Sequence, residues 1–221
     1  MIDHELKEIK DKIFLLTFNN RFDLGMTFLR AQEYYENPNK DFKGKNFRII
    51  DFIEWYSKEI NKDNCFSYCD DFCGFNIPSW VLDKLYSQES ASLFEDWNKY
   101  DGLIYKTYLD LKKKHNKFYL IGSIEKNNTT INHEIAHALY YLNNDYYSEV
   151  TKIIDSIHPQ TKELLKKTLI EEMYCHESID DEIQAYLSTG LLDKMRRKLN
   201  SNKIGVKSLR KPFIDLLKKY S

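Results

Sequence analysis

Residues 129–142 read Thr129-Thr130-Ile131-Asn132-His133-Glu134-Ile135-Ala136-His137-Ala138-Leu139-Tyr140-Tyr141-Leu142. Ile131, Ile135, Ala138, Leu139 and Leu142 recur at helical spacing, which predicts an amphipathic helix with Thr129 or Thr130 as its N-cap. Off that apolar stripe lies H-E-x-x-H, formed by His133, Glu134 and His137. On a helix the two histidines are about 40° apart in projection and roughly 6 Å apart along the axis. Both imidazoles therefore reach one metal ion, and Glu134 projects beside them, where it can act on a bound water. Three fixed letters in five arise by chance in a chain of this composition at on the order of one per cent, before a helical context is required.

Two histidines do not complete a catalytic zinc site, which takes three protein ligands and leaves a position for water. The extended motif H-E-x-x-H-x-x-G-x-x-H would need Gly at 140 and His at 143, but Tyr140 and Asn143 stand there. The next candidate segment is Ser178-Ile179-Asp180-Asp181-Glu182-Ile183-Gln184-Ala185-Tyr186-Leu187. Ser178 followed by Asp181 is an N-cap signal. Helical projection puts Glu182 on the face of Ile179, Ile183 and Tyr186, and Asp181 with Gln184 and Ser188. A carboxylate on an apolar face is costly unless it is paired or bound to metal, so Glu182 is the expected third ligand.

With His133, Glu134, His137 and the segment Glu182-x-x-Ala185, residues 117–190 resemble the gluzincins, zinc metallopeptidases in which a Glu on a later helix completes the H-E-x-x-H site. The resemblance implies that His133, His137 and Glu182 bind Zn2+, that Glu134 is the general base, and that the reaction is hydrolysis of a peptide bond. It also implies that the strand at 117–124 is a substrate-binding edge strand. The chain departs from the thermolysin-like members at Tyr186, where they carry an acid that supports a histidine, so that partner is left unassigned. A tetrahedral intermediate needs a further donor. Tyr140, Tyr141, His176 and Tyr186 are all chemically suited.

Outward from this core, the first 62 residues are expected to be helical. Ile9, Ile13, Phe14 and Leu16 would lie in one run, Leu24, Phe28, Leu29 and Ala31 in a second, and Ile49, Ile50, Ile53, Tyr56 and Ile60 in a third. Asn37-Pro38-Asn39-Lys40 reads as the loop between the second and third. Residues 64–79 are irregular, Pro78 precedes a new helix start, and helix is expected to continue to about Lys114 with a break near Asp101-Gly102. Lys117 to Ile124 is the one strand signal, bounded beyond it by Glu125-Lys126-Asn127-Asn128.

The 221 residues are 42% hydrophobic and 30% charged, with net charge -1, which excludes a disordered chain. No window approaches the ~18 apolar residues of a membrane helix, and the acidic start Met1-Ile2-Asp3-His4-Glu5 is unlike a secretory signal, so a cytoplasmic protein is expected. The charge is unevenly placed: residues 191–221 carry ten Lys or Arg against Asp193 and Asp215, a balance of +8, leaving -9 for residues 1–190. Leu191, Leu192, Met195, Leu199, Phe213, Leu216 and Leu217 recur at helical spacing there, so two helices docked on the acidic body account for the tail better than a nucleic-acid-binding arm. Cys65, Cys69 and Cys73 are spaced C-x3-C-x3-C, which fits no iron–sulfur pattern and lacks a fourth zinc ligand; with Cys175 they are expected as free thiols.

The expected fold is α+β: one mostly helical zincin-like domain over 1–221, with a helical part at 1–116, a metal-site core at 117–190 and a basic helical segment at 191–221. The expected function is a zinc-dependent hydrolase acting on a peptide or protein, with no membrane or nucleic-acid partner. The alternatives are a deformylase-like or other amide-hydrolysing metalloenzyme, which would favour a Cys ligand from 65, 69 or 73, and a non-catalytic binding protein using the basic tail.

Overall fold

The computed structural model describes residues 2–61, 63–87, 96–124, 128–172 and 174–221. It is α+β, mostly helical with one four-stranded mixed sheet. Backbone contacts divide the chain into two compact units, Met1–Thr130 and Ile131–Ser221.

The first unit holds the sheet, in the order β1-β2-β4-β3. Strands β1 (His4–Lys10) and β2 (Ile13–Phe18) form an antiparallel hairpin where a helix is expected from the sequence. The reason lies in burial: Ile13 to Leu16 is a continuous apolar run whose four side chains are all buried, as in an interior strand, and a run that short has no distinguishing period. The chain reverses at Asp11-Lys12, with Lys12 in the left-handed region at φ 58°.

Strand β4 (Tyr119–Ile124) confirms the strand signal, but it is not an edge strand. It runs parallel to β2, with Ile13 opposite Tyr119, and antiparallel to β3 (Gly74–Pro78), with Ile77 opposite Leu120. Its first five residues are buried, the mark of a strand covered on both faces. Strand β3 fell within the segment read as irregular because it is five residues long and ends in a proline.

Helix α1 (Arg21–Glu36) lies against the sheet. Its Phe28 stacks on Phe75 of β3 with ring centroids 5.4 Å apart, and the ring sits where a Cβ on Gly122 would be. Helix α2 (Ile49–Glu59), the tetrapeptide helix α3 (Tyr68–Asp71) and α4 (Ser79–Leu85) follow, with Pro78 preceding α4 as expected. Residues 88–95, part of the expected helical stretch, lie outside the described residues. Helix α5 (Lys99–Lys112) runs without a break through Asp101-Gly102, because Asn98 and Asp101 form a capping box that starts the helix there. Buried Arg30 of α1 ties to α5 through Asp101 at 2.9 Å and also meets Asp96 at 2.9 Å.

The second unit is helical. It comprises most of α6 (Asn128–Leu142), then α7 (Asn144–Ser156), α8 (Pro159–Glu171), a 3-10 turn at His176–Ser178, α9 (Ile179–Thr189), α10 (Asp193–Ser201) and α11 (Val206–Tyr220). Thr129 and Thr130 fall in the first turn of α6 rather than capping it, and residues 125–127 lie outside the described residues. The basic tail docks as two helices: Met195, Leu199, Phe213 and Leu216 are buried, Lys194 and Lys198 pair with Glu171 at 3.1 and 2.6 Å, and Lys219 meets Glu149 at 2.7 Å. Helix α9 packs against α7, α8 and α11, and Ile179, Glu182, Ile183, Gln184, Ala185, Leu187 and Ser188 are all buried on it. Among the described residues, no helix is long and apolar enough to cross a membrane.

Candidate metal centre

Two helices of the second unit build the site. One turn of α6 separates His133 from His137, and their Nε2 atoms face each other at 3.2 Å. Glu182 of α9 reaches the same point: its carboxylate oxygens lie 3.9 Å from His133 Nε2 and 3.7 Å from His137 Nε2. Donor atoms at the corners of a tetrahedral zinc site with ~2.0–2.1 Å bonds are roughly 3.3 Å apart. The spacing is therefore close to what a zinc ion takes, and these three residues form the metal-capable cluster among the described residues. No cysteine sulfur belongs to it; Cys65, Cys69, Cys73 and Cys175 are free thiols.

The outward nitrogens of both imidazoles are occupied. His137 Nδ1 is 2.9 Å from Asp181 Oδ1, and His133 Nδ1 is 3.1 Å from Thr189 Oγ1. Because the Thr189 hydroxyl donates to the Ala185 carbonyl at 2.7 Å, its oxygen accepts from His133 Nδ1–H. Both rings thus carry their proton on Nδ1 and turn Nε2 inward, the tautomer that ligation requires.

Electrostatics favour a cation at that point. Glu134 is 6% exposed and Glu182 4%, and together with Asp181 they surround His137, which is 3% exposed. Burial alone would lower the His137 pKa, but the carboxylates of Asp181, Glu182 and Glu134 raise it well above the ordinary value. Burial and the charge on His137 push His133 down to about 3. Two imidazole nitrogens and the Glu182 carboxylate converge at that point, with the carboxylates of Glu134 and Asp181 close to His137, and this donor set fits a divalent cation such as zinc.

Asp181 departs from its expected role. Ser178 does precede α9, but it makes no side-chain cap, and its hydroxyl donates to the Cys175 carbonyl at 3.1 Å. Asp181 accepts instead from His137 and from Gln184 Nε2, the latter at 2.8 Å. It supplies the histidine partner that the residues alone left unassigned. The projection that grouped Asp181 with Gln184 and Ser188 holds, but that face is buried as well, so the two adjacent acids approach the two nitrogens of one imidazole.

Of the candidate donors, Tyr186 packs on His133, the ring centroids 4.6 Å apart. Its hydroxyl is 2.5 Å from that of Tyr174, a residue the sequence did not single out. Burial and the Glu182 carboxylate hold both phenols protonated. The Tyr140 ring lies 4.8 Å from Tyr147, and His176 is an exposed residue of the 3-10 turn. Thr189, Gln184 and Tyr174 were legible only as polar residues in helical or loop segments, a signal that names no partner. No protein-family model, curated protein or solved structure matches the chain.

Proposed function

We propose that this protein is a zinc-dependent hydrolase of zincin type that cleaves peptide bonds. The observation that carries the reading is the convergence of His133 Nε2, His137 Nε2 and the Glu182 carboxylate, with both Nδ1–H groups already bonded elsewhere. His133, His137 and Glu182 would hold the ion. When bound, zinc supplies a Lewis acid that brings the pKa of water towards about 7 and polarises a carbonyl. Glu134, buried and one residue on from His133, would accept a proton from water and return it to the leaving amine. Tyr186, whose ring packs on His133 and whose hydroxyl meets that of Tyr174, is a phenol that would suit an oxygen gaining negative charge during the reaction. A carboxylate rather than a thiol as third donor favours this branch over a deformylase-like enzyme.

The test is Glu134→Gln. The variant should retain zinc while cleavage of a quenched-fluorescent peptide library falls by about 10²–10⁴-fold, the usual contribution of a general base. Loss of zinc in this variant equal to that in His133→Ala would make Glu134 structural instead, and zinc-loaded wild type that cleaves no peptide would contradict the assigned reaction.

A further inference from the structure

Gln184 is a fully buried amide on the helix that carries Glu182, and a buried amide is costly unless each end is bonded. Its Nε2 donates to Asp181 Oδ1 at 2.8 Å, and its Oε1 accepts from the hydroxyl of Tyr146 at 2.7 Å. Tyr146, on α7, is itself 0% exposed. Asp181 Oδ1 in turn lies 2.9 Å from His137 Nδ1. Every donor in this chain points towards the Asp181 carboxylate. Reversing the Gln184 amide would turn its oxygen onto an anion, so the Tyr146 hydroxyl and Asp181 together select one orientation. Asp181 alone could rotate about its side-chain bonds; with Gln184, one turn further along the same helix, held by Tyr146 of α7, its Oδ1 has one place to be.

We infer that Gln184 and Tyr146 are positioning residues for the metal centre: acting through Asp181, they fix the tautomer and ring plane of His137, so that Nε2 faces His133 and Glu182. This rests on the reading of that cluster as a zinc site. It assigns three helices to the centre, α6 for two ligands, α9 for the third ligand and for the partners Asp181 and Thr189, and α7 for the brace behind them.

The experiment measures zinc affinity by chelator competition in wild type, Tyr146→Phe, Gln184→Leu, Asp181→Ala and the double variant Asp181→Ala/Gln184→Leu, alongside the ring 15N and Nδ1–H resonances of His137. Removing a direct partner of a ligating histidine typically weakens metal binding about 10–100-fold, and that range is expected for Asp181→Ala. Gln184→Leu should weaken it about tenfold and Tyr146→Phe about threefold, each with faster solvent exchange of the His137 Nδ1–H. In the Asp181→Ala background Gln184→Leu should have no further effect, because its action passes through Asp181. A purely structural role would lower the melting temperature while leaving affinity and the His137 resonances as in wild type. Zinc affinities of Tyr146→Phe and Gln184→Leu within twofold of wild type would overturn the inference alone, and Tyr146→Phe, which removes a single hydroxyl, decides it if Gln184→Leu does not fold. Wild type that takes up no zinc would overturn the metal reading together with it.

Discussion

At the scale of single residues, the site and the sheet-bearing unit pose the same physical problem, a carboxylate out of water, and solve it differently. Glu134, Asp181 and Glu182 face histidines and, in the proposed function, a cation. Glu33 of α1 is 8% exposed, accepts a 2.5 Å hydrogen bond from Asn37 Nδ2, and has no ion pair among the described residues. Burial raises its pKa from 4.5 to about 7. A carboxyl whose folded-state pKa lies above its unfolded value contributes fully below about pH 4.5, and that contribution is lost as pH rises through about 7. Urea unfolding at pH 5 and pH 8 should therefore show wild type losing about 3 kcal/mol relative to Glu33→Gln across that interval. A constant difference between the two proteins would contradict the assignment. At this scale the sequence was partly readable: Glu182 could be told from Asp181 because an apolar face makes an acid conspicuous. The partnership of Asp181 with His137 could not, because helical periodicity says which residues share a face and nothing about what lies opposite it.

Among the elements, legibility followed length and period. Helix α6 repeats its apolar positions over four turns, and α1, α2 and α9 do so over three or more, so their existence could be read from spacing. The hairpin β1–β2 could not: Ile9, Ile13, Phe14 and Leu16 satisfy a helical pattern as well as a buried strand, and the turn Asp11-Lys12 lacks the Asn-Gly or Asp-Gly signature that would have announced it. Strand β4 was recognised, but its place in the sheet was not, since the parallel partner β2 is 100 residues away in the chain and itself passed for a helix. The hairpin carries its own test. Lys12 holds φ 58°, a conformation that costs an L-residue ~1–2 kcal/mol and glycine almost nothing. After the extra unfolded-chain entropy of glycine, Lys12→Gly should stabilise the protein by about 0.5–1 kcal/mol in thermal unfolding. Destabilisation would mean that the turn is not in the left-handed region.

For the molecule as a whole, the α+β class was readable because one strand signal stood among several helical ones, whereas the number of strands and the division into units 1–130 and 131–221 were not. All the proposed metal chemistry lies in the second unit, where His133, His137, Glu182 and their partners Asp181 and Thr189 come from α6 and α9. The basic C-terminal helices belong to the packing of that unit, with Lys194, Lys198 and Lys219 engaged by glutamates of the body. A bound ion stabilises only the form that binds it, by about 2.7 kcal/mol at a free concentration of 100 times Kd, so chelation should lower the melting temperature of wild type. The central claim is that this cluster is a zinc site, and metal analysis of the full chain purified from zinc-replete medium tests it most directly. The account predicts close to one zinc per chain in wild type and none in His133→Ala or His137→Ala; wild type without stoichiometric zinc, or variants that keep it, would contradict the account.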